Sequence, residues 1–147
     1  MMNPKGITLI ELVVVMAIIA IGAALTTPNI SGWLPSYRLR SATRDVVSIM
    51  RVAQLKAVSN NTSHRVTFNT VNDSYVLEYQ NTGGGWVTEG ETQSLPTGVK
   101  FNTNLAGNIT TFLPNSTATD GNVTLNNNKG ANKRIRLLGL TGRIRIE

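Results

Sequence analysis

The stretch K-G-I-T-L-I-E-L-V-V-V-M-A-I-I-A-I-G-A-A-L, residues 5–25, decides how the rest of the chain is read. Residues 7–25 carry a single charge, Glu11. As a helix, nineteen residues extend about 28 Å, close to the ~30 Å hydrocarbon thickness of a bilayer. A carboxylate at mid-bilayer costs on the order of 3 kcal/mol, so a lone one near the start of such a run signals function. An ordinary secretory signal places its apolar run before an A-x-A-like cleavage site. This run is instead preceded by a short segment containing Lys5 and ending in Gly6.

With 147 residues, the chain has room beyond that run for one modest domain. Cysteine is absent, which excludes disulfides, a thiol nucleophile and thiolate metal sites. The single His64 excludes a multi-histidine metal site and most histidine-based triads. Asp73, Glu78, Glu89, Glu91 and Asp120 lack the spacing of calcium ligands. Gly83-Gly84-Gly85 reads as a hairpin turn, not a phosphate cradle. The chain is therefore expected to be no enzyme, with no cofactor and no metal.

The net charge of +6 is unevenly placed. Residues 38–56 hold five basic side chains and Asp45, residues 57–125 hold two basic against five acidic, and residues 126–147 hold six basic against Glu147. The tail thus carries +5, and such asymmetry points to a polyanionic partner.

The apolar helix is expected to end or kink at Pro28, since an internal proline removes a backbone bond and costs about 3 kcal/mol. Trp33 and Tyr37 are placed for a membrane–water boundary. Leu39, Ala42, Val46, Met50, Ala53 and Ala57, widened by Val47 and Val58, predict an amphipathic helix over about 36–59, capped by Ser36 or Ser41. Arg38, Arg40, Arg44, Arg51 and Lys56 occupy its other faces. From about residue 64 the period becomes two. Short strands are expected at residues 65–68, 75–79, 86–87, 99–101, 109–112, 123–125, 133–138 and 142–146, separated by Gly/Asn turns. That spacing indicates an antiparallel β domain over about 64–147, hence an α+β chain.

In the last two strands Arg134, Arg136, Arg143 and Arg145 alternate with Ile135, Leu137, Ile144 and Ile146. With the aliphatic residues facing the core, all four arginines face outward on neighbouring strands. Like charges placed opposite one another destabilise a sheet, so the clustering calls for a reason. Arginine forks suit phosphate oxygens, and no aromatic residue interleaves to stack bases, which favours sequence-independent contact with a nucleic-acid backbone.

The N-terminal arrangement resembles the type IV prepilin signal. The resemblance implies a leader of residues 1–6, removed by a prepilin peptidase between Gly6 and Ile7, and N-methylation of Ile7. Where that family has Phe after the cut, this chain has the apolar Ile7. Residues 7–27 are then a retained transmembrane and assembly helix, and residues 28–147 a periplasmic domain. Glu11 becomes the assembly residue, whose charge pairs with the N-terminal amine of a neighbouring subunit in a filament.

Four further elements narrow the resemblance to the GspH/FimT-type minor pilins and pseudopilins. They are V-A-Q-L-K-A (residues 52–57) leading into R-V-T-F, L-P-T-G-V-K-F (95–101), I-T-T-F-L-P (109–114) with Asn115-Ser116 where glycine is expected, and T-G-R-I-R (141–145). The resemblance implies a pilin-like fold with a long N-terminal helix on an antiparallel sheet. Its expected partners are other pilin or pseudopilin subunits, the peptidase and the inner membrane of a bacterium. The single-pass chain would leave its C-terminal domain periplasmic, and extracellular once assembled in a pilus. For FimT-like proteins the G-R-x-R element binds DNA in natural transformation, carried here onto Gly142, Arg143 and Arg145. Two functions follow: a minor pilin of a type IV pilus binding the DNA backbone, or an H-type minor pseudopilin of a type II secretion system.

Overall fold

The apolar run folds as α1 (Leu9–Thr26), and the amphipathic stripe as α2 (Ile30–Ser59). The structure, a computed structural model, describes residues 6–26 and 30–147. Pro28 and the leader residues 1–5, with their expected kink and basic charge, lie outside the described residues. The chain divides into two units between Leu34 and Pro35. The first unit contains α1, whose Leu9, Ile10, Leu12, Val13, Val14, Val15, Met16, Ile18, Ile19 and Ile21 are all exposed. Apolar side chains on every face mark a helix made for burial among other apolar surfaces.

α2 starts earlier than the expected residue 36 and runs through Pro35. Ser36 and Ser41 are therefore interior positions, not caps. A proline close to a helix start forfeits one backbone bond, and the packing of the residues beyond it outweighs that loss. Leu39, Ala42, Val46, Val47, Met50, Ala53 and Ala57 are buried along one side of the helix. Val58 departs from the expected stripe: in the last turn, it is 46% exposed. The three alanines on this stripe bring the helix backbone close to the sheets, while Met50 and Val46 fill the remaining space.

Alternating apolar residues form β1 (His64–Asn69), β2 (Ser74–Gln80), β3 (Trp86–Thr88), β4 (Gln93–Ser94), β5 (Val99–Thr103), β6 (Ile109–Phe112), β7 (Gly121–Asn127), β8 (Asn132–Leu138) and β9 (Arg143–Ile146). All strand pairs are antiparallel. The first sheet has the order β3-β2-β1-β6, with β4 also on β2, and the second β5-β7-β8-β9. Val66, Phe68, Leu77 and Phe112 from the first sheet join Val99, Phe101, Val123, Leu125, Ile135 and Leu137 from the second in one core with α2. Each such side chain is worth roughly 1.5–3 kcal/mol of burial. Phe101 of β5 ties the sheets together, edge-on to Phe68 at 5.3 Å and to Tyr75 at 6.0 Å. The whole core cluster lies within residues 35–147, so the second unit carries its own core.

On the outer face of the first sheet every charge is answered. The Arg65 Nε donates to Glu78 Oε2 at 2.7 Å, Thr67 Oγ1 donates to the same oxygen at 2.6 Å, and the Arg65 guanidinium lies 4.2 Å from the Trp86 ring centre. Burial acts to raise the Glu78 carboxyl, but the hydrogen bonds from Arg65 and Thr67 and the Arg65 charge outweigh it and hold it below the ordinary 4.5. A depressed folded value stabilises the fold above the unfolded value, and the gain is lost as pH falls through the folded one. Glu78→Gln is accordingly expected to lower the thermal midpoint at pH 7 and to close the gap with the parent as pH falls from about 5 to about 3. A constant gap across that range would refute the linkage.

Candidate functional site

Two features carry the expected chemistry. At the head of α1, Thr8 and Glu11 form a capping box: Thr8 N–H and Oγ1–H donate to Glu11 Oε2 at 3.2 and 3.1 Å, and Glu11 N–H donates to Thr8 Oγ1 at 3.4 Å. This cap sets the helix start, leaving Gly6 and Ile7 outside the helix and exposed ahead of it. A Cβ at Gly6 would meet nothing within 4 Å, so the chain's own packing does not require glycine there. Among the described residues no helix is long and apolar enough to cross a membrane.

The second feature is the outer face of the second sheet. Ile135 and Leu137 are fully buried, which turns Arg134 and Arg136 outward. Arg145 stands directly opposite Arg136, Arg143 opposite Leu138, and the backbones of Arg134 and Glu147 exchange both hydrogen bonds, at 3.1 and 2.7 Å. All four arginines are exposed on one face, as the alternation implies. Next to them β7 presents Asn122, Thr124 and Asn126, and β5 presents Lys100 and Asn102. The acids Asp73, Glu78 and Glu89 belong to the first sheet and its connections; Glu147 follows Arg145 at the end of β9, and Asp120 stands just before β7, where its Oδ1 accepts from the Gly139 N–H at 3.3 Å. Among the described residues the ion pairs are Lys56–Glu89, Arg65–Glu78 and the His64–Glu89 contact, and none engages an arginine of β8 or β9.

Gly142, at the turn into β9, is buried. Its φ is +58°, and a Cβ there would lie 2.3 Å from the Ser116 carbonyl oxygen and 2.5 Å from Gln54 Nε2 of α2. Ile146 departs from expectation. It lies on the core side of β9, but β9 is the sheet's edge and Ile146 faces an open cleft beside Arg40, Thr43 and Arg44 of α2, so it is 47% exposed.

Sequence pattern alone does not reveal two clefts between α2 and β9. One, of about 290 Å³, is lined by Arg40, Thr43, Arg44, Lys133 and Ile146. The other, of about 590 Å³, is lined by Arg51, Gln54, Leu138, Thr141, Gly142, Arg143 and Ile144. The available signal is the spacing of Arg40, Arg44 and Arg51 on one side of the helix. His64, which carries no expected role, is buried; its Nδ1 lies 2.8 Å from the Thr62 carbonyl and its Nε2 3.5 Å from Glu89 Oε2, while Lys56 flanks the other Glu89 oxygen at 2.6 Å.

Residues 1–27 match the prokaryotic N-terminal methylation motif. The fold matches the minor pseudopilin EpsH from the type 2 secretion system of Vibrio cholerae, with a TM-score of 0.66 at 11% identity, over 75% of this chain and 96% of that one. It likewise matches the type IV minor pilin FimU of Pseudomonas aeruginosa, with a TM-score of 0.63 at 16% identity, over 76% of this chain and 90% of that one. The fold is pilin-like. No curated protein matches it by sequence. This pilin-like chain keeps the α+β fold expected of it, with helix on antiparallel sheet. Its departure from the family pattern at Asn115-Ser116 is resolved in the backbone: Ser116, where glycine is expected, adopts φ +67°.

Proposed function

We propose that the chain is a minor subunit of a type IV pilus that presents a DNA-binding face on its second sheet. The observation that carries this reading is the contrast between the two sheets. Arg65 on the first is bonded to Glu78, whereas Arg134, Arg136, Arg143 and Arg145 on the second share a face with no ion pair among the described residues. Direct opposition of Arg136 and Arg145 costs the sheet a few tenths of a kcal/mol or more. A phosphodiester backbone lying across them turns that cost into attraction, through forked hydrogen bonds that suit guanidinium and phosphate. Without aromatic side chains among the arginines, the contact is independent of sequence.

The N-terminal segment supplies the route into the filament. Cleavage falls between Gly6 and Ile7, and Ile7 becomes the methylated N-terminus. The exposed, non-helical stretch ahead of the Thr8 cap supports this, since a peptidase needs a substrate backbone free of helix. α1 extends about 27 Å, close to the ~30 Å of a bilayer's hydrocarbon layer, and the apolar run continues beyond it at Ile7. The mature chain is thus anchored in the inner membrane with its second unit in the periplasm, and is carried outside on a pilus. Glu11 pairs with the terminal amine of a neighbouring subunit there.

The test is the salt dependence of DNA binding by residues 35–147. Each phosphate-contacting arginine removed lowers the slope of log affinity against log salt by roughly 0.7–0.9. Arg143→Gln with Arg145→Gln is expected to lower it by roughly 1.4–1.8. Unchanged affinity in that double variant would reject the face. A second reading, an H-type minor pseudopilin of a type II secretion system, is favoured by the EpsH-like fold. Deletion separates the two: lost natural transformation supports the pilus, and lost exoprotein secretion supports the secretion system.

A further inference from the structure

The arginine face does not end at the sheet's edge. Arg40, Arg44 and Arg51 follow one another on α2 at steps of four and seven residues, which keeps them within about 40° of one line on the helix surface. That line overlooks β9. Arg40 and Arg44 meet Lys133 and Ile146 across the first cleft, and Arg51 meets Arg143 across the second. Lys133 reaches this side because it shares the parity of Ile135 and Leu137, at the end of β8. No carboxylate lines either cleft, and among the described residues no ion pair engages any of these five cations. Asp45, the acid of α2, lies on another side of the helix, where its charge acts on Tyr75. Arg38 is engaged elsewhere, donating to the Thr97 carbonyl at 3.1 Å.

We propose that β9 is a crest over which a phosphodiester chain passes, from the outer face of the second sheet into the two clefts beside α2. Arg40, Arg44 and Lys133 hold it in one cleft, and Arg51 with Arg143 in the other. The proposal rests on the reading of the sheet face as a DNA-binding surface and extends it to four cations outside the outward rows of β8 and β9. Arg40 and Arg51 are eleven residues apart, about 16 Å along the helix axis, which matches roughly five nucleotide steps of one strand at about 3.4 Å. Arg40, Arg44 and Arg51 are exposed like the outward arginines and Lys133 is half-buried, so salt screens these contacts no more strongly and they weigh as much.

The experiment measures binding of a mixed-sequence DNA duplex of about 30 base pairs to residues 35–147 over a range of sodium chloride concentrations. Arg40→Gln, Arg44→Gln and Lys133→Gln combined are expected to weaken binding tenfold or more and to lower the salt slope by roughly 2–2.7. Arg40→Lys with Arg44→Lys keeps the charge and is expected to keep the slope while weakening affinity severalfold, as the forked bonds are lost. Thermal midpoints near the parent's show that both variants are folded, as the exposure of Arg40 and Arg44 implies. A triple variant within twofold of the parent, with an unchanged slope, overturns the crest while the loss in the Arg143, Arg145 variant leaves the face standing. A parent that binds DNA with no salt dependence overturns the face and the crest together. Intact DNA binding with reduced incorporation in the triple variant also overturns the crest, and assigns the clefts to a subunit interface.

Discussion

Gly142→Ala is expected to destabilise the domain by roughly 2–5 kcal/mol. Two terms add. A non-glycine residue in the left-handed region costs about 1–2 kcal/mol, and Gly142 has φ +58°. The added methyl group would also sit 2.3 Å from the Ser116 carbonyl oxygen and 2.5 Å from Gln54 Nε2. Forcing an atom into a packed site costs typically about 1–3 kcal/mol, and backbone yields less readily than a side chain. For a domain of about 100 residues that is a fall in thermal midpoint of at least about 10 °C. Gly130→Ala is the control. Gly130 has φ +82°, and a methyl group added there would meet nothing within 4 Å, so it bears the conformational term alone. Equal shifts in the two variants would show that the junction of β9, Ser116 and α2 is not tight. Because that junction places Arg143 beside Arg51, the alanine variant should also lose DNA affinity at temperatures where it remains folded.

Loss of the Glu11 charge is expected to reduce incorporation into filaments tenfold or more, with cleavage and membrane insertion preserved. In the separate chain the carboxylate lies at the head of an apolar helix and one of its oxygens closes the cap with Thr8. In the proposed docking the other oxygen gains a cationic partner, which relieves a cost of about 3 kcal/mol, a factor of about 100 at equilibrium. The cap complicates Glu11→Ala and Glu11→Leu, since each removes both charge and cap, and a cap alone is worth about 1 kcal/mol. Glu11→Gln separates them: glutamine closes a capping box as glutamate does, without the charge. Thr8→Ala removes the cap and keeps the charge. Quantitative immunoblotting of sheared filaments should therefore rank the parent first, Thr8→Ala next and Glu11→Gln last. Normal incorporation of Glu11→Gln would leave capping as the residue's function.

The strands are legible in the sequence because each alternates cleanly around one core: Val66 and Phe68, Leu77, Val123 and Leu125, Ile135 and Leu137 all point inward as their period dictates. β4 is not, because two residues, Gln93 and Ser94, show no period. The beginning of α2 is hidden by its own breakers. Gly32 and Pro35 argue locally against a helix, and the residues that outweigh them, from Leu39 onward, act through packing. The outward arginines can be read from parity alone. The clefts cannot, since they depend on which strand occupies the edge of the second sheet, and local pattern carries no strand order. The same limit applies to Ile146, whose inward parity is right and whose cover is missing. Family resemblance makes Gly142 part of a binding motif; its close packing against Ser116 and Gln54, which no local pattern announces, gives it a second part in placing the strand that carries the motif.

β9 hydrogen-bonds to β8 on one side, and among the described residues no strand pairs with its other side. An open strand edge is an invitation to aggregate through backbone pairing with another chain. On this edge Arg143 and Arg145 alternate through four residues, so two copies meeting edge to edge would bring guanidinium against guanidinium. The cations of the proposed DNA-binding face thus also oppose edge-to-edge pairing of the free domain. Polyanion or high salt, by masking them, removes that protection.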